Sequence, residues 1–349
     1  MKASFVSSAA ISQAMRYSLQ RMQSELVSSQ KEVSTGRVAD AGLALGMRTG
    51  QSVSFQRDVD RFQTIVDSNE MIASRLTATQ DALSQIITIS QNLLKTLAAG
   101  TSGVASDDVV IGEAKGTLEG MTSILNSSLR GEYLFAGINT DVSPVNDFTD
   151  PASPNKAAFD TAFLAHFGFA QNDPQTATIT AADMDTFLDT VVEPQFLGAG
   201  WQTSWSNATD QQIVNRISLS ETASTSVSAN EQGLRKVAMA AATLTDLYGS
   251  DLSDDARDAL VNRAIELVSE GLSGIANVQS ETGVTENRVS RATERVKMQI
   301  DLFKNNILDM ESVDPYEAST RVNSLISQIE VSYALTARIQ QLSLVNYLT

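Results

Sequence analysis

Both ends of this 349-residue chain are helix-forming sequence with a narrow apolar stripe, and the irregular, turn-rich sequence lies in the middle. Near the start, Met15, Leu19, Met22, Leu26 and Val33 recur at spacings of four, three or seven. Near the end Val322, Leu325 and Ile329 repeat the pattern, followed by Leu335, Ile339, Leu342 and Leu344. A stripe this narrow is the seam of a helix that packs on another helix, not the broad face of one buried in a compact core. Stripes at both extremities pair with each other or with neighbouring copies. These residues are therefore the candidate assembly interface, and the chain reads as an assembling helical protein.

Charge and composition narrow the partners. The formal net charge is −16, which argues against nucleic acid and against anionic membrane surfaces as partners. There is no cysteine, so disulfides, thiol catalysis and thiolate metal sites are unavailable. No window approaches the roughly 20 consecutive apolar residues of a membrane helix, so no membrane insertion is expected. The opening Met1-Lys2-Ala3-Ser4-Phe5-Val6 lacks the apolar core of a cleaved secretory signal, so export would use a route that needs none.

Five of the six prolines fall between Pro144 and Pro194, and residues 141–205 carry nine acidic groups against Lys156 alone. This shift in composition marks an insert at about 141–230, and its aromatics, including Phe159, Phe163, Phe167, Phe187 and Phe196, predict a small core of its own. The flanks are helical. One stripe runs from Phe55 through Val59, Phe62, Val66, Leu76 and Leu83 to Leu97, and Gly100–Gly103 should end it. At ~1.5 Å per residue that helix is roughly 70 Å long, too long for a compact globule. The next helix, capped by Ser106 or Asp107, carries Gly112, Gly116 and Gly120 at spacings of four, which predicts close approach of another helix backbone. A shorter helix follows over Leu234–Tyr248, and another long seam extends from Leu260 to Met310. Asp314-Pro315 with Glu317 has the form of a capping box opening a final helix. Residues 212–230, and more weakly 132–138, read as strand or hairpin sequence.

The search for chemistry finds little. His166 is alone among aromatics, with no nucleophile or acid patterned around it. Asp183, Asp185 and Asp189 resemble the opening of a calcium loop, but Phe187 occupies a ligand position and the required glycine is missing. Gly112–Thr117 has the letters of a phosphate loop with the wrong spacing. No catalytic residue, metal ligand or cofactor is expected, and the chain reads as structural.

Four segments carry a resemblance. Gln30–Arg37 is similar to the turn after the first helix of the flagellin family. Gly131-Glu132-Tyr133-Leu134-Phe135-Ala136-Gly137, with Thr140 and Pro144 after it, resembles a signature of the hook–filament junction branch of that family. Asp314–Ala318 and the ending Ser343-Leu344-Val345-Asn346-Tyr347-Leu348 resemble its C-terminal pattern. The chain departs from the pattern at Ala39–Gly46, where an acidic run is usual, and at Val145, where phenylalanine is usual.

The resemblance implies a mainly α fold, an elongated flagellin-like rod of long antiparallel helices from both ends, with a small mixed α/β insert. It implies a terminal coiled-coil assembly domain (1–45 with 311–349), a helical rod with a short hairpin (46–140 with 231–310), and an outward-facing insert (141–230). It also implies a non-enzymatic, extracellular adaptor between flagellar hook and filament. That adaptor would form a ring with itself and contact the other junction protein on the hook side and flagellin on the filament side. A cytoplasmic chaperone would guide its export. The terminal helices would gain their order from neighbouring subunits. The alternatives are flagellin itself and, more distantly, another secreted coiled-coil binding protein.

Overall fold

The apolar stripes become helices close to their predicted length. The computed structural model describes residues 8–348, and their side chains from 10 to 338. In chain order it contains α1 (Ser8–Thr35), α2 (Ala41–Leu45), α3 (Thr49–Thr101) and α4 (Asp107–Leu125). The strands β1 (Ser128–Leu129) and β2 (Glu132–Tyr133) follow, then α5 (Pro154–Phe167), α6 (Ala181–Phe187) and α7 (Glu193–Phe196). Next come β3 (Val214–Arg216), β4 (Thr222–Ser224), α8 (Gln232–Leu247), α9 (Asp254–Glu311) and α10 (Pro315–Leu348). The fold is mainly α, with long helices from both chain ends and two antiparallel two-stranded hairpins. Gly283 does not interrupt α9.

The chain forms two compact units, one from residues 1–64 and 297–349 and the other from 65–296. The larger unit holds the main core. Within it α3 and α9 run antiparallel: Thr77 donates to Glu286, and Gln80 donates to the carbonyl of Gln279. Leu83, Ile86, Leu93 and Leu97 from α3 join Leu118 and Met121 from α4, Val237 and Leu244 from α8, and Leu260 and Ile275 from α9 in one cluster.

The glycine expectation for α4 is overturned. A side chain at Gly112 or Gly116 would meet open space, and one at Gly120 only the tip of Ile89. Close approach occurs between α8 and α9. A Cβ at Gly233 would lie 2.7 Å from the nitrogen of Ile275, and one at Gly271 would lie 2.9 Å from the carbonyl oxygen of Gly233. The periodic spacing in α4 was the louder signal, but the three glycines that make the contact (Gly233, Gly271 and Gly274) lie on two different helices.

The insert also differs from expectation. Phe148, Phe159, Phe163, Phe187, Phe196, Trp201 and Trp205 do pack together, with Trp201 and Trp205 stacked 5.8 Å apart. However, they belong to the same continuous cluster as α3, α4, α8 and α9, so there is no separate core. Polar ties join the insert to the helices as well. Lys156 pairs with Asp246 at 2.7 Å, Arg263 pairs with Asp189 at 2.6 Å and Glu193 at 3.0 Å, and Arg235 donates to the carbonyl of Phe196. Burial pushes the Asp246 carboxyl up, against the opposing pull of Lys156. A wide π turn at Leu188–Val192 precedes Pro194, which lets the helical path continue where a proline ring would crowd a regular α turn.

The segment Gly131–Gly137 runs from an exposed turn into the buried interior of this unit. Arg130 and Gly131, both with positive φ, make the two-residue turn between β1 and β2. Leu134, Phe135 and Ala136 are buried. Their backbone is bonded on both sides: Leu134 N donates to Ser127 O, Ala229 N to Phe135 O, and Thr209 N to Ala136 O. Any side chain at Gly137 would overlap Thr209. Val145, where the larger phenylalanine is usual, is buried, and its backbone is held at both ends by the Asn126 amide.

Candidate assembly surface

The smaller unit brings the two chain ends together. α1 and α10 pack antiparallel: Glu32 meets Arg321, Gln23 donates to the Tyr333 hydroxyl at 2.9 Å, and Thr336 lies against the Met15 sulfur. In the seam, Leu19, Leu325 and Ile329 are buried, and Met15, Met22, Leu26 and Val322 are half-buried. Val33 and Leu335 stay on the outer surface at 41% and 45% exposure. The side chains of Ile339, Leu342 and Leu344 lie outside the described residues.

Apolar pattern alone missed part of the seam. Ala318 and Ser29 are buried, and Ser332 and Thr336 are half-buried. They continue the spacing of four and three through Ala318, Val322, Leu325, Ile329, Ser332 and Thr336. Small and hydroxyl side chains occupy seam positions there, so heptad spacing without regard to hydropathy would have found them. Leu335 is one position out of that register.

A clasp closes this pair at the end where α1 stops. Gly36 takes φ of 67° and ends α1, with its N–H donating to Glu32 O. The chain beyond it forms a β-bridge to the turn after α9: Val38 N donates to Glu311 O at 2.8 Å, and Val313 N donates to Gly36 O at 3.0 Å. The Glu311 carboxylate, 14% exposed, accepts from Ser52 Oγ at 2.5 Å and meets Arg37 at 3.5 Å. Glu32, equally shielded, accepts from the N–H of Ala39. Asp314 caps α10 through the N–H of Tyr316, but Glu317 turns to Arg321 at 2.8 Å and does not complete the capping box. The ion pair one turn along the helix holds the carboxylate away from the cap.

This unit leaves much apolar surface uncovered. Among the described residues, fifteen of the twenty-four large exposed apolar side chains lie in it, although it is only a third of the chain. They include Tyr17, Val27, Leu43, Met47, Leu302, Tyr316 and Val331. Scattered exposed apolar residues are ordinary, and this unit carries them at a higher density than the rest of the described chain.

The residues weighed for chemistry are occupied otherwise. His166 sits edge-on against Phe167. Asp183 closes a capping box with Thr180, which holds its carboxyl below the usual range. Among the described residues no group of His, Asp and Glu could hold a metal ion, and no helix is long and apolar enough to cross a membrane.

The sequence matches two family models, the bacterial flagellin N-terminal helical region over residues 6–140 and the C-terminal helical region over 265–348. The chain belongs to the flagellin family. It is a structural protein of the flagellum, in a family whose members assemble with themselves and with other flagellar proteins. A solved structure similar to it is described as a flagellar hook-associated protein from Vibrio parahaemolyticus. At 11% identity and a TM-score of 0.51, over 76% of this chain and 97% of that one, it supports the fold alone. No curated protein sequence matches this chain. The β1–β2 turn and the buried Leu134–Ala136 lie within the matched N-terminal region.

Proposed function

We propose that this flagellin-family chain is the structural adaptor joining the flagellar hook to the filament. It assembles as a ring through the terminal helices that carry Met15, Leu19, Met22, Leu26, Val33, Val322, Leu325, Ile329, Leu335, Ile339, Leu342 and Leu344. The observation that carries the assembly reading is the concentration of exposed apolar side chains on the unit built from both chain ends. What favours a junction subunit over the filament subunit is the resemblance of Gly131–Gly137 and of the Asn346–Leu348 ending to the junction branch.

By role, residues 1–45 with 311–349 form the assembly domain, 46–140 with 231–310 the supporting helices, and 141–230 the segment facing outward. The partners are further copies of itself, the other junction protein toward the hook, flagellin toward the filament, and an export chaperone. Export proceeds without a cleaved signal peptide. The test is stoichiometry in intact appendages. Antibody labelling should place this chain in one short band per flagellum, next to the hook. Label along the whole filament would identify it as the filament subunit instead.

A further inference from the structure

Along the α3–α9 pair of the larger unit, two apolar clusters are separated by a polar layer. One cluster reaches Leu83 on α3 and Ile275 on α9, with Ala78 and Val278 half-buried at its edge. The other holds Ile72, Leu76, Val289 and Ala292, together with Ile217 and Ala223 from the β3–β4 hairpin. Between them the seam positions, at spacings of three and four, are Thr79 on α3 and Thr282 and Thr285 on α9. Thr79 and Thr282 are buried, so hydroxyl side chains stand where leucine, isoleucine and valine stand on either side. A polar residue at a seam position lowers the stability of a helix pair at that level.

Three further features weaken the same level. Gly283 lies in the interior of α9, where glycine is a poor helix former. Gln80 donates to the carbonyl of Gln279 at 2.8 Å, the acceptor that the N–H four residues on uses in an α-helix. Side chains that enter the backbone ladder in this way mark sites of bending. Beside the layer opens a cavity of about 160 Å³, whose lining includes Leu76, Ser224, Ser226, Glu231, Glu281 and Thr282.

The carboxylates of Glu231, half-buried there, and of Glu281 have no hydrogen-bond or ion-pair partner among the described residues. Arg235 and Lys236, one turn along α8, are spent on the carbonyls of Phe196 and Gly198 and on Glu270. Of the segments packed around the Glu231 carboxylate, α9 brings Glu281 and the stretch before β3 brings Asp210. Leu76 from α3, and Ser224 and Ser226 at the end of the hairpin, do not titrate.

We propose that this layer is a joint at which α3 and α9 part locally while the apolar clusters on either side stay closed, and that ionised Glu231 favours the open form. The threonine seam and Gly283 make the opening easy, and the unpaired carboxylate makes it respond to pH. Burial, then Glu281 and Asp210, push the Glu231 carboxyl up. In the open form it regains water and its ordinary range. The closed form therefore carries a cost that is absent below the ordinary glutamate range and complete above the raised value. The joint opens more readily at neutral pH than in acid. It lies within one chain and is independent of the junction role proposed above.

Hydrogen exchange of the free full-length chain, read by mass spectrometry and corrected for intrinsic rates, tests the joint. Near neutral pH the amides of 279–287 should exchange about tenfold or more faster than those of 264–275 and 289–296. Glu231→Gln should slow exchange across 279–287 several-fold at neutral pH. Its difference from the wild-type chain should vanish as the pH falls through the glutamate range. Even protection from 264 to 296 would overturn the joint. So would exchange across 279–287 that Glu231→Gln leaves unchanged, or a difference that persists unaltered in acid. None of these outcomes bears on the place of the chain in the flagellum.

Discussion

Single atoms decide the glycines. A methyl group at Gly233 collides with backbone across the α8–α9 contact, and one at Gly271 collides with the Val237 side chain and the Gly233 carbonyl. Gly233→Ala and Gly271→Ala should each lower stability by about 1–3 kcal/mol in denaturant unfolding. Gly116→Ala meets open space on α4 and should raise stability by about 0.5–1 kcal/mol, the ordinary gain for a helix interior. Glu231 makes a pH-dependent case. Burial, then the neighbouring Glu281 and Asp210, push its carboxyl up. A carboxyl with a higher pKa folded than unfolded destabilises the protein once ionised. That cost is absent below the ordinary glutamate range and complete above the folded pKa. Glu231→Gln should therefore raise the unfolding temperature at neutral pH, and the gain should fade as the pH falls through the glutamate range. Neither effect was legible in the sequence. Which glycines touch, and which acids crowd together, depends on pairings between residues far apart in the chain.

At the scale of elements the sequence was more informative, because helix length and termination are local. The breaks at Gly100–Gly103 and at Pro315 and the hairpin near Val214 were readable from residue type, and the turn at Gly36 from the resemblance of Gln30–Arg37. The clasp was not, since Glu32 and Glu311 look like any surface acids until the turn after α9 meets the turn after α1. Its strength can be measured. Glu311→Ala removes the acceptor for Ser52 and the partner for Arg37, a charge-assisted contact of about 1.5–3 kcal/mol. Trypsin cleavage after Arg37 should then accelerate by about tenfold or more, because the bridge that shields Val38 opens more often. Cleavage sites in the larger unit should be unaffected. An unchanged rate at Arg37 would mean that the two backbone hydrogen bonds hold the clasp without the carboxylate.

For the molecule as a whole, deleting residues 315–349 should leave the unit of residues 65–296 folded, by circular dichroism and a cooperative melt, while abolishing incorporation into flagella. A truncated chain that still connected filaments to hooks would sink the role given to the terminal helices. The way the chain closes on itself has one more consequence. The two units are nested: residues 65–296 form one, and the segments before and after form the other. Any chain that emerges from its N-terminus, on a ribosome or through a narrow channel, releases α1 first and α10 last. The contact between Glu32 and Arg321 spans 289 positions, so α1 has no partner from its own chain until nearly all of it is free. During that interval the N-terminal stripe is available to whatever else can cover it. A fold whose first and last segments pair with each other keeps its sticky end open longest.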